Sequence, residues 1–205
     1  MRTRSLVVGA VLSVSALLGA VSPAQAATSP QIPVPSNATA ISNGNAAHFV
    51  IKNPDGSTTP VTVSFASGRI SQAQAVAAGA KLAAVTPAAL YCGTASLTVQ
   101  YGPNSAWLVR FTYSTNWCGN GSVISGTPGS IVSGTVSGWA AATGVSYKGV
   151  LERDMNLWYA GWAYQGHVEG LWQTCYPILG CGGNHYPQVW INMYANGTST
   201  GSSSS

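Results

Sequence analysis

Few residues in this chain of 205 can do acid–base, nucleophilic or metal chemistry. The acidic side chains are Asp55, Glu152, Asp154 and Glu169, and the histidines are His48, His167 and His185. A glycosidase needs two carboxyl groups flanking the scissile bond, which leaves Glu152, Asp154 and Glu169 to weigh. Glu152-Arg153-Asp154 reads more simply as a solvated turn. Asp55 belongs to a Pro54-Asp55-Gly56 turn, where proline presets φ and glycine accepts positive φ. His167 and Glu169 share one row of an alternating stretch. They are the pair a hydrolase would use, and otherwise a surface pair. A serine hydrolase of the elbow type is not indicated, because Gly-x-Ser-x-Gly is absent. No metal site is expected, since there is no Cys-x-x-Cys and the histidines are scattered. No cofactor is implied.

The other chemistry lies in rings. The chain has seven Trp and nine Tyr, and aromatic faces beside amides are a common way for exported β-modules to hold sugars. Bulky rings more often fill cores. For at least one exposed ring among Trp158, Trp162, Tyr164, Trp172 and Trp190, binding is the reading adopted. The binding face expected is Tyr159, Gln165, His167 and Trp190. Tyr159, Gln165 and His167 share one row of Leu157–Cys175, with Trp158, Trp162 and Tyr164 on the other and assigned to the core. In Gln188–Tyr194, Val189, Ile191 and Met193 form one row and Trp190, Asn192 and Tyr194 the other. Such a strand is buried on both faces or leaves a ring outside.

The elements around these residues are mostly strands. Met1–Ala26 has Arg2 and Arg4, an apolar run from Leu6 to Val21, and Ala24-Gln25-Ala26. That is a secretory leader, cleaved before Ala27, with an apolar run shorter than the ~20 residues of a membrane span. The formal net charge is +4. Beyond the leader, Lys52, Arg69, Lys81, Arg110, Lys148 and Arg153 against four acidic residues leave about +2, too little to indicate nucleic-acid binding. Residues 27–47 read as a flexible lead-in. Residues 48–86 read as an accessory unit, a hairpin followed by a Ser71-capped helix over Ser71–Val85. Residues 89–197 read as an antiparallel β-sandwich, and 198–205 as a disordered Ser-rich tail. Within Leu157–Cys175, Gly166 and Gly170 suggest a bend or bulge.

Alternation places Leu97, Val99 and Tyr101 on one apolar row and Val109, Phe111 and Tyr113 on another, joined through Gly102-Pro103-Asn104-Ser105. If Leu97 faces Tyr113, the same register sets Cys92 opposite Cys118 on the outer face. Cys175 then pairs with Cys181. Four cysteines allow three pairings, and the register favours this one.

Trp117-Cys118-Gly119-Asn120-Gly121-Ser122, Tyr147-Lys148-Gly149, Trp172-Gln173-Thr174-Cys175 with Gly180-Cys181, and Tyr186-Pro187-Gln188-Val189-Trp190-Ile191 follow in that order. This order resembles a group of secreted actinobacterial β-rich proteins of unknown function with a WCxNGS hairpin and a late C…GC…YPxVxI segment. The resemblance implies an exported β domain over Cys92–Gly197 and carries no catalytic residues. Three functions follow for the chain: a non-catalytic module that binds glycan or a cell surface, a hydrolase using His167 and Glu169, or a membrane-active toxin-like β-protein. The first is preferred because catalytic groups are scarce.

Overall fold

The computed structural model describes residues 32, 36–52, 56–83, 90–176 and 180–204. The leader, Asp55 and most of the chain before Thr39 lie outside them. The described chain is a mostly β structure of two antiparallel sheets with two short helices. Strand β1 is Thr39–Ile41, β2 Ala46–Lys52 and β3 Thr58–Ile70, followed by helix α1 (Gln72–Ala77). Then come β4 (Tyr91–Tyr101), β5 (Val109–Gly119), β6 (Gly129–Val136) and helix α2 (Gly138–Ala142). A long hairpin, β7 (Val145–Trp158) and β8 (Ala163–Tyr176), leads to β9 (Gly180–His185), β10 (Gln188–Tyr194) and β11 (Ser199–Ser204).

The five-stranded sheet is a meander, β2-β3-β4-β5-β6. Its centre has the register that alternation demands: Leu97 pairs with Tyr113, Val99 with Phe111 and Cys92 with Cys118. The six-stranded sheet runs β1-β11-β10-β8-β7, with β9 also on β8. One hydrophobic cluster takes Val63, Phe65, Leu97, Val99, Phe111 and Tyr113 from the first sheet, and Val168, Trp172, Val189, Ile191 and Met193 from the second. Each such fully buried side chain contributes about 1.5–3 kcal/mol. Trp117 Nε1 donates across the cluster to the Tyr194 carbonyl at 2.9 Å.

Both disulfides have the expected pairing, Cys92–Cys118 and Cys175–Cys181. The first does not face solvent. Cys92 is 4% exposed and Cys118 1%, packed with Ala75 and Ala80 beneath α1. Ser71 caps that helix with the reciprocal Gln74 contact, but α1 ends at Ala77 rather than running to Val85. Gly79, at φ +94°, turns the chain away.

Four expectations need correction. The hairpin and helix of residues 48–86 are no separate accessory unit. β2 and β3 are strands of the same sheet as β4, and Ile32–Ser205 is one compact unit. The lead-in is in part a strand, since β1 pairs with β11 and Ile41 is buried in the core. The Ser-rich tail is not disordered either. β11 lies between β1 and β10, with Ser202 and Ser203 buried. Small residues suit that strand, because a Cβ on Gly201 would lie 2.5 Å from Phe65 Cδ2. Finally, Glu152-Arg153-Asp154 is not a turn but the middle of β7, with both carboxylates exposed.

The Trp-rich stretch also breaks where alternation does not show it. Its turn is Tyr159–Gly161, with Tyr159, Ala160 and Gly161 all at positive φ. Gly166 and Gly170 are interior to β8 and leave room for rings. A Cβ on Gly166 would overlap the Tyr113 hydroxyl and lie 2.8 Å from Cζ, and one on Gly170 would lie 2.8 Å from Phe111 Cε2.

Candidate functional site

The outer row of β8 is Ala163, Gln165, His167 and Glu169, because Val168 points into the core and side chains alternate. Across the sheet, His167 stands between Asp154 of β7 and Trp190 of β10, and Gln165 between Asn156 and Asn192. Three of the four expected site residues therefore converge. The His167 and Trp190 rings stack at 4.8 Å with 11° between planes. Gln165 Nε2 donates to Asn192 Oδ1 at 3.0 Å, and Asn192 Nδ2 donates to Thr200 Oγ1 at 3.1 Å.

This row is covered more than a sugar platform needs to be. Trp190 is 7% exposed and Gln165 8%, so β10 is buried on both faces and Trp190 offers no free ring. Trp158, assigned to the core by parity, lies instead with Ile32, Ala163 and Tyr194 on the outer side. The turn at Tyr159–Gly161 resets the alternation on which that assignment stood. Tyr159 is exposed at the hairpin tip, its ring 6.2 Å from that of Trp158. It lies beyond the last rung, Trp158↔Ala163, away from His167.

The acidic residues are arranged differently from the expected His167–Glu169 pair. Glu169 Oε2 accepts from Gln188 Nε2 at 2.8 Å. The carboxylate facing His167 is Asp154, Oδ2 to Nδ1 4.0 Å. One donor atom from each of Glu152, Asp154 and His167 lies within 4.8 Å of the others. A hydrogen bond with Asp154, and then that residue's charge, raise the Glu152 carboxyl above its ordinary pKa. Two β-bulges in β7, between Tyr147 and Gly149 and between Val150 and Glu152, precede the cluster. Bulges of this kind re-aim side chains next to functional sites. The scattered positions of the histidines in sequence conceal the cluster. Counting outward from a turn at Tyr159–Gly161 reveals it, since Trp158↔Ala163 leads to Asp154↔His167 and Glu152↔Glu169.

A second place was not foreseen at all. A partly open cavity of about 240 Å³ is lined by Ile51, Lys52, Tyr101, Asn184, His185 and Tyr186. It brings the ends of β2 and β4 from one sheet against β9 from the other. Tyr101 is 3% exposed, and its hydroxyl has no hydrogen-bond partner among the described residues. Its ring lies 5.8 Å from that of His185, and Tyr186 is exposed beside them. Burial raises the Tyr101 phenol far above its usual pKa, so the hydroxyl keeps its proton. Burial lowers His185, which favours the neutral imidazole with one donor and one acceptor.

Comparison with protein-family models, curated proteins and solved structures finds no match for this chain. Among the described residues, no helix is long and apolar enough to cross a membrane.

Proposed function

We propose that this protein is an exported β-sandwich domain that binds a small polyhydroxylated ligand of the carbohydrate class in the Tyr101–His185–Tyr186 cavity. The observation that carries the reading is the cavity itself, where the exposed Tyr186 ring meets the Tyr101 ring, whose buried hydroxyl has no hydrogen-bond partner among the described residues. A buried hydroxyl left unmatched costs about 1–3 kcal/mol, and a small shift of the Tyr101 ring on ligand entry that brings this hydroxyl to a ligand oxygen would remove that cost. Tyr186 supplies an exposed ring for a sugar C–H face, while Asn184, neutral His185 and Lys52 supply polar groups at the rim. The volume is below the ~300–1,000 Å³ of drug-sized sites, which suits one sugar ring or the end of a chain. Among the described residues the lining includes no carboxylate, which supports binding rather than glycoside hydrolysis.

Export is supported by the leader-type sequence of Met1–Ala26 and by two disulfides, which persist in oxidising compartments. The sandwich arrangement is supported by the main core cluster, which draws residues from both sheets. The test is a glycan array followed by calorimetry with the retained sugar, on wild type and on Tyr186→Ala. Retention that falls about tenfold or more in Tyr186→Ala, a loss of ~1.4 kcal/mol or more, is the expected result. Retention of no glycan by wild type, or equal affinity in the variant, would refute the assignment.

A further inference from the structure

The geometry points to a second, separate site: Glu152, Asp154 and His167 bind one divalent transition-metal cation of the zinc class on the outer face of the β7–β8 hairpin. Glu152 and Asp154 are alternate residues of one strand, so both side chains leave the same face of the sheet. His167 is directly opposite Asp154, and its ring is held by the Trp190 stack with Nδ1 turned toward the carboxylate. The donor atoms already lie within 4.8 Å of one another. A tetrahedral zinc ion holds nitrogen and oxygen donors at ~2.0–2.2 Å, which places any two ~3.3–3.6 Å apart. Closing that gap takes roughly 1–1.5 Å, within reach of a rotation of the two exposed carboxylate side chains.

Charge points the same way. Glu169 pairs across the strand with Glu152, so three of the four acidic side chains beyond the leader are grouped around His167. The basic residue between them in sequence, Arg153, projects the other way and donates to the carbonyl and hydroxyl oxygens of Ser130. The group therefore carries negative charge with an imidazole in its midst and no guanidinium or ammonium paired to it among the described residues. Calcium would call for six to eight oxygen donors, commonly from a loop that contributes carbonyls. One imidazole and two carboxylates on rigid strands suit zinc or a neighbouring first-row ion instead. The metal takes Nδ1, Nε2 keeps the proton, and water completes the shell on the exposed side.

The test uses the full-length exported chain without an affinity tag, stripped with chelator and dialysed to equilibrium against zinc. Parallel arms contain calcium or magnesium, and bound metal is measured by elemental analysis. Wild type should take up one zinc per chain, with Asp154→Asn and Glu152→Gln each weakening binding about tenfold or more, as loss of a direct ligand should exceed the 10–100-fold cost of outer-shell losses. Both substituted side chains are exposed, so metal-free melting temperatures should match wild type and separate ligand loss from misfolding. His167→Gln should also abolish binding. Uptake that survives Asp154→Asn and Glu152→Gln would place zinc on His48 or His185 and overturn the proposal. No stoichiometric uptake, or calcium bound as tightly as zinc, would overturn it equally.

Discussion

Replacing Tyr101 with phenylalanine should make the unliganded protein more stable and the liganded protein weaker. The substitution removes one oxygen atom and keeps a ring that is 3% exposed in the core. In wild type that oxygen is buried with no hydrogen-bond partner among the described residues. Desolvating an unmatched hydroxyl costs about 1–3 kcal/mol, whereas an ordinary hydrogen bond contributes ~0.5–1.5 kcal/mol. Removal should therefore raise stability by about 1–2 kcal/mol, which for a domain of this size raises the melting temperature by roughly 2–8 °C. Calorimetric melts of both proteins at neutral pH, without and with the retained sugar, read both effects. Stabilisation of the free form together with loss of the sugar-induced shift is the expected pattern. A drop in free-form stability of about 1 kcal/mol or more would show that the hydroxyl is already satisfied, and the reasoning behind the cavity assignment would fail.

Gly166→Ala should destabilise the fold by about 1–3 kcal/mol, as overpacking does, because the new methyl group overlaps the fully buried Tyr113 ring. An unchanged urea midpoint would contradict that packing. Stability should also fall on mild acidification through His185, whose pKa burial lowers from 6.5. Below that value the unfolded chain binds a proton that the folded chain refuses, so stability is complete above about pH 6.5 and is lost as pH falls toward the folded-state pKa. His185→Asn should flatten that part of the melting-temperature profile, and an unaltered slope would assign the effect elsewhere.

What alternation encodes, it encodes well. The β4–β5 register follows from two apolar rows, and the Cys92–Cys118 pairing follows from the register. Strand β11 escapes such reading because Ser199–Ser204 has no apolar row. Its role is to be thin where Phe65 and Leu97 press against it, and nothing local in STGSSS states that. The face holding Gln165, His167 and Trp190 is legible by parity, but the Tyr159–Gly161 turn defeats parity for Tyr159 and Trp158. The acid–histidine cluster depends on cross-strand register, and the cavity depends on how two sheets meet. Neither is a property of neighbours in sequence.

The position of the Cys92–Cys118 bond under α1 sets an order of events during maturation. Its sulfurs are sealed by Ala75 and Ala80 once the helix is seated. Thiol–disulfide exchange requires in-line access of an attacking thiolate to a sulfur. An oxidant or isomerase must therefore reach the β4–β5 hairpin while Ser71–Ala80 is still undocked, and docking then works as a latch that withdraws the bond from later exchange. Cys175–Cys181, outside that seal, stays open to reshuffling after the rest of the chain has closed.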